Sequence, residues 1–324
     1  MWWRWPVRIL AAIGIALVAL TAFQAVGDVV TGIRYAPPGR LVDVGGYRIH
    51  VNLSGDVGAG PTIVLEAAPC SASPQWGWIQ PALSRGARVA SYDRPGLGWS
   101  DAAPGPLSPR DLARALRTAL ERAGASPPYV LVGHSAGGLF ALEFAALYPG
   151  DVAGLVLLDA RGPAMQALWP GDIVSADLAR WNPLAYLARL GLIRASGVAD
   201  RIAAGLPAPS RDEEGALLAS SRHLAACVPD ARIADVAARE LRERAGLGEL
   251  PLLVLSATDA DGYVFRDRKT RDLFSDLQRD FLGLSTRSEQ KVVNAADQIT
   301  LVTDAGYART VTDAIRSFTL SLRR

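Results

Sequence analysis

Tyr129-Val130-Leu131-Val132-Gly133-His134-Ser135-Ala136-Gly137-Gly138 is the stretch from which the rest of the chain can be read. An apolar run meets Gly-x-Ser-x-Gly, and a helical stretch from Leu139 to Tyr148 follows. Glycines on both sides of a serine allow a sharp turn between strand and helix. The hydroxyl then stands exposed at the carboxyl end of a sheet. Ser135 is therefore the candidate nucleophile. Such a serine needs a base before it can attack a carbonyl. The chain has three histidines, His50, His134 and His223, and none after 223.

Strand and helix signals alternate on either side of this corner. Leu41 to Val44 and Tyr47 to Leu53 read as a hairpin turning at Gly45-Gly46. Thr62 to Leu65 is a buried strand, Trp78 to Leu83 part of a helix, and Arg88 to Asp93 another strand. Ser108 caps a helix from about Pro109 to Ala123, with Asp111 completing much of a capping box. Val156 to Asp159 is the next strand. Residues 161–247 break the rhythm: they are helical, show no strand, and read as a cap inserted over the sheet. Leu252 to Ser256 resumes the sheet, Leu273 to Leu284 is helical, Gln290 to Val293 is the last strand, and Asp304 to Leu322 closes the chain. This order predicts an α/β fold with a mostly parallel eight-stranded sheet, helices on both faces and a helical cap.

The N-terminus has a different character. Ile9 to Val26 is apolar apart from Thr21 and Gln24, close to the length of a bilayer span. Arg4 and Arg8 precede it, and Trp2, Trp3 and Trp5 stand where an aromatic belt would lie. The residues after Leu20 fit a cleavage site poorly. The expectation is an anchor over 1–26, a linker over 27–40 and an α/β domain with its cap over 41–324. The arginines would keep the N-terminus cytoplasmic and place the domain outside the cell membrane. Such a compartment permits disulfides, and the sequence leaves open whether Cys70 and Cys227 pair or stay as thiols.

Bulk properties exclude several classes. The net charge is +2, with acids and bases interspersed and no basic stripe, so no nucleic-acid partner is expected. Two separated cysteines and three scattered histidines make no metal site, and no phosphate-binding glycine loop appears, so no cofactor is expected.

From about residue 41 onward the chain resembles the α/β-hydrolase family. Leu65-Glu66-Ala67-Ala68 with Trp76-Gly77-Trp78 is similar to the family's strand-to-helix segment that holds an oxyanion donor. Tyr92-Asp93-Arg94-Pro95-Gly96-Leu97-Gly98-Trp99-Ser100 is similar to its D-R-x-G-x-G-x-S segment. Gly133 to Gly137 is its nucleophile elbow, and Leu157 to Ala160 and Pro251 to Leu255 its sixth and seventh strands.

The resemblance implies that the N–H of Ala136 gives one oxyanion bond and that the second comes from Pro69 or its neighbour Cys70. Proline has no N–H. His134, as the motif's variable residue, supports the elbow. The base should follow the last strand, where Ala295-Ala296-Asp297-Gln298-Ile299-Thr300-Leu301 stands, and Asp297 holds the place of the expected histidine. The triad acid should be Asp259 or Asp261 after the seventh strand, with Asp159 after the sixth as the alternative. An ordinary aspartate is a poor base toward a serine hydroxyl. His50 lies on the early hairpin, away from the site. His223 lies in the cap, either on an exposed helix face or reaching in. Two functions follow: a membrane-anchored serine hydrolase of an ester or amide with an atypical base, or a catalytically impaired hydrolase fold that binds or scaffolds. The Ala/Leu-rich cap, with Trp169, Trp181 and Tyr186, either packs its own helices with these residues or faces an apolar acyl substrate or ligand.

Overall fold

A computed structural model describes residues 4–58, 60–162, 183–244, 246–258 and 268–322. Its centre is one eight-stranded sheet. The strands are β1 Arg40–Asp43, β2 Arg48–Ser54, β3 Thr62–Glu66, β4 Val89–Tyr92, β5 Tyr129–His134, β6 Val152–Leu158, β7 Leu252–Ala257 and β8 Ser288–Val293. Their spatial order is β1-β2-β4-β3-β5-β6-β7-β8. β2 runs antiparallel to both of its neighbours, and every pairing from β4 to β8 is parallel. The β1–β2 hairpin turns at Gly45 and Gly46, which take φ of 109° and 98°, the left-handed region that glycine enters without a steric cost.

Alternation along the central strands divides the core. Val130 and Val132 join Trp76, Ile79, Val311 and Ile315 on one face. Leu131 joins Leu116 and Phe144 on the other. Residues two apart share a face of a strand, so helices cover both sides. The helices before the cap are α1 Arg4–Arg34, α2 Ile79–Leu83, α3 Pro109–Ala123 and α4 Gly137–Leu147. The cap contributes α5 Pro183–Arg189, α6 Leu192–Ser196, α7 Val198–Ala203, α8 Ala208–Leu218 and α9 Ser221–Arg242. The chain closes with α10 Arg268–Asp280, α11 Thr300–Thr303 and α12 Ala305–Ser321. The capping box at α3 is present in both directions between Ser108 and Asp111.

One expectation changes. The segment 27–40 is not a free linker, because α1 continues without a break to Arg34. Its polar residues explain why: Gln24, Asp28 and Thr31 recur at helical spacing on one face. Arg194 reaches all three, and Ser221 donates to Asp28 at 2.8 Å. The last turns of α1 are thereby docked onto the cap. The point left open at the cysteines is answered: Cys70 and Cys227 form a disulfide across 157 residues, tying the loop after β3 to α9. Trp169 and Trp181 lie outside the described residues.

Candidate active site

The corner after β5 is held against its preference. Ser135 adopts φ 55°. Its N–H donates to Leu158 O at 3.1 Å, and its own carbonyl accepts from Arg161 N at 2.8 Å and Gly138 N at 3.1 Å. The flanking glycines follow from close approach. A Cβ on Gly133 would lie 2.6 Å from Gly138 Cα, and one on Gly137 would lie 2.6 Å from the carbonyl oxygens of Ala67 and Glu66. Among the described residues, the non-glycine positions with positive φ are Cys70, Ser135, Asp159 and Ala295, and they follow β3, β5, β6 and β8. All four therefore stand at the carboxyl edge of the sheet. Each such conformation costs about 1–3 kcal/mol and persists only where surrounding bonds enforce it, as at functional sites.

The Ser135 hydroxyl makes no hydrogen bond among the described residues, and neither does the Ala136 N–H, which is the state an oxyanion donor requires. The loop after β3 supplies no free partner at the expected places. Pro69 has no N–H. The Cys70 N–H is taken by Asp230 Oδ2 of α9 at 3.1 Å, so Cys70 is not an available donor, a correction forced by a cap carboxylate entering the loop. Ala68 N donates to Gln75 Oε1 at 3.3 Å.

None of the three imidazoles bonds to Ser135. His134 is buried, accepts from the Gln75 amide at Nδ1 (3.2 Å) and donates from Nε2 to the Gln298 carbonyl (2.8 Å). Burial drops its pKa to about 4, so it stays neutral and acts as a strut. His50 is buried on β2, with Nδ1 2.9 Å from Asp93 Oδ2 and Nε2 accepting from Gly39 N. His223 is neither exposed nor a base. It is fully buried, accepting from Gly98 N at Nδ1 (3.0 Å) and donating from Nε2 to Cys70 O (2.9 Å). Burial lowers its pKa.

Contrary to the reading from spacing, Cys70, His223 and Cys227 do come together, with ligand atoms within 4.8 Å of one another. A disulfide offers no thiolate, however, and both ring nitrogens are bonded, so this group does not fit a metal ion.

Asp297 lies on the loop that His134 grips through Gln298. Its Oδ1 accepts from Ile299 N (2.8 Å) and Thr300 N (2.7 Å), so the carboxylate caps the start of α11. Asp259 and Asp261 fall outside the described residues. Asp159, the alternative acid, is buried at the end of β6 and accepts from Ala257 N at 3.1 Å. Burial first, and the charge of Asp297 second, push its pKa up to about 7.

One network was not anticipated. The buried Arg94 guanidinium donates to Glu66 Oε1 (2.6 Å), to both Asp230 oxygens (2.6 and 2.9 Å), and to the carbonyls of Ala67 and Ala68 (each 2.8 Å). Tyr92 also donates to Glu66. Arg94 and Glu66 were visible inside the quoted motifs. Asp230 was not, because nothing local marks a partner 136 residues away.

A family model for the alpha/beta hydrolase fold matches residues 61–190. An uncharacterised protein of Schizosaccharomyces pombe is 44% identical over 82 residues, which are 25% of this chain and 15% of that protein. The chain thus spans well under two thirds of that relative's length. Among solved structures, the enol-lactonase from Burkholderia xenovorans LB400 matches with TM-score 0.62 and 20% identity, over 87% of this chain and 100% of that one. A thermophilic esterase from Thermogutta terrifontis matches with TM-score 0.59 and 20% identity, over 86% and 95%. With the eight-stranded order, the strained serine corner and these matches in hand, the chain has the α/β-hydrolase fold.

Proposed function

We propose that this protein is a membrane-anchored serine hydrolase of ester or amide bonds, slow because its proton acceptor is a carboxylate pair in place of an imidazole. The observation that carries the reading is the combination at one corner: a strained Ser135 with an unengaged hydroxyl, beside an unengaged Ala136 N–H, while all three histidines are committed elsewhere. In this scheme the Ser135 Oγ attacks the substrate carbonyl, Ala136 N–H stabilises the developing oxyanion, and the serine proton passes to the Asp159–Asp297 pair. Burial raises Asp159 to about 7, which makes its carboxylate a stronger base than an ordinary aspartate once ionised. Activity should therefore rise with pH through about 7. The missing second oxyanion donor costs about 3–4 kcal/mol.

A fluorophosphonate probe tests the scheme. Labelling lost in Ser135→Ala and rising with pH supports it. No labelling at any pH, with no hydrolysis of short acyl esters, leaves the second reading, an acyl-binding module that has lost turnover. The capped carboxylate of Asp297 favours that second reading, since its Oδ1 is already bonded twice.

Anchoring belongs to the same proposal. α1 holds about 28 Å of apolar helix between Trp5 and Phe23 at 1.5 Å per residue, close to a hydrocarbon core. In this reading the N-terminus is cytoplasmic and the hydrolase domain lies outside; Arg4 and Arg8 before the span and the Cys70–Cys227 disulfide support it. The substrate class is an apolar acyl compound, from the composition of the cap.

A further inference from the structure

The membrane reading leaves a feature of the cap unexplained. The α5–α6 turn is built as Leu187-Ala188-Arg189-Leu190-Gly191-Leu192-Ile193. Gly191 abuts α1 so tightly that a Cβ there would lie 2.7 Å from Phe23 Cδ1 and 3.3 Å from Leu20 O. The turn therefore meets α1 inside its apolar stretch, before the polar residues Gln24, Asp28 and Thr31. On either side of this contact Leu187 and Leu192 are 37% and 39% exposed, and Tyr186 is 57% exposed. The Arg189 guanidinium lies 5.8 Å over the Tyr186 ring. An aromatic ring with a basic group beside it, next to bare leucines, is the composition of a surface at the headgroup level. α1 itself indicates how far the apolar phase extends. Opposite the docked face, Val26, Val29, Val30 and Ile33 are all exposed. From Trp5 to Phe23 the helix supplies about 28 Å, a hydrocarbon core, so the turn packed on Leu20 and Phe23 stands where that core ends.

We infer that the α5–α6 turn of the cap is seated in the outer interface of the bilayer that α1 crosses, with Tyr186, Leu187 and Leu192 against lipid. The occupant of this apolar face is thus lipid, continuous with the lipid around α1. Rigid docking of α1 through Gln24, Asp28 and Arg194 fixes the depth of the turn relative to the anchor. The inference rests on the anchoring part of the proposed function and is independent of whether Ser135 reacts.

The test uses the full chain in phosphatidylcholine vesicles, with an environment-sensitive fluorophore on one introduced cysteine at a time. The native cysteines are already paired. Positions are Leu17→Cys in the apolar helix, Leu192→Cys in the turn, and Asp313→Cys on α12 as the water-facing control. A lipid carrying a shallow spin label is the quencher. The expected result is that residues 17 and 192 both emit at shorter wavelength than 313, and that 192 is quenched by the lipid spin label, as an interfacial site would be. If 17 reports lipid while 192 is quenched only by aqueous iodide, the inference is wrong and the anchor stands. If 192 is shielded from both quenchers, a second copy of the chain covers the face, and the inference is equally wrong. If 17 also reports water, the anchor itself fails. Leu187→Cys, on the other side of Gly191, repeats the measurement should the 192 variant not fold.

Discussion

Replacing Asp297 by histidine is the most direct perturbation of the proposed site. Residue 297 is next to Gln298, whose carbonyl accepts from His134, and His134 is next to Ser135. The substitution thus offers an imidazole on the segment tied to the nucleophile. Asp159, raised to about 7 by burial and by the Asp297 charge, would lose an anionic neighbour and ionise more readily. The loss is structural: two N–H groups at the start of α11 lose their acceptor, worth about 1 kcal/mol. The gain is general-base catalysis, about 10²–10⁴-fold. Since the second oxyanion donor is still missing, Asp297→His should raise fluorophosphonate labelling of Ser135 by about a hundredfold without reaching an ordinary esterase. Labelling kinetics by mass spectrometry, with Ser135→Ala in the same background as control, reads this out. A folded Asp297→His variant that labels no faster than the parent would refute the idea that proton transfer limits this site.

Further outcomes concern stability. Arg94→Met leaves Glu66 and Asp230 buried without their cation and should cost about 3–5 kcal/mol in denaturant unfolding. Glu214 is buried with Oε2 unpartnered, and burial raises its pKa to about 8. An acid raised on folding stabilises the fold below its unfolded pKa, and that stability is lost as pH rises through the folded value. Glu214→Gln should therefore match the parent near pH 4.5 and exceed it by up to about 5 kcal/mol near pH 8, measured as unfolding midpoints against pH. Reducing the disulfide, which spans 157 residues, should lower stability by about 5 kcal/mol and loosen the cap first, visible as hydrogen exchange in α9.

The parts of this fold that the chain announces are those set by neighbours in sequence. Gly-x-Ser-x-Gly after an apolar strand, the Gly45-Gly46 hairpin and the Ser108–Asp111 box each form with residues a few positions apart, and each is present. The apolar run of β5 serves both faces of the sheet, as the strand period of two requires. Features decided by distant polar pairing stayed hidden. His223 is buried because Gly98 and Cys70 meet it, and Cys70 loses its amide to Asp230; neither follows from local pattern. The extension of α1 was missed because its polar residues read as the end of a span, when they are the face that Arg194 binds.

Arg94 has a mechanical consequence. One guanidinium holds both carbonyls of the segment beside the serine corner and, at the same time, a carboxylate on the longest cap helix. Lifting that helix would strand a cation in a dry interior, so the lid cannot swing from this edge.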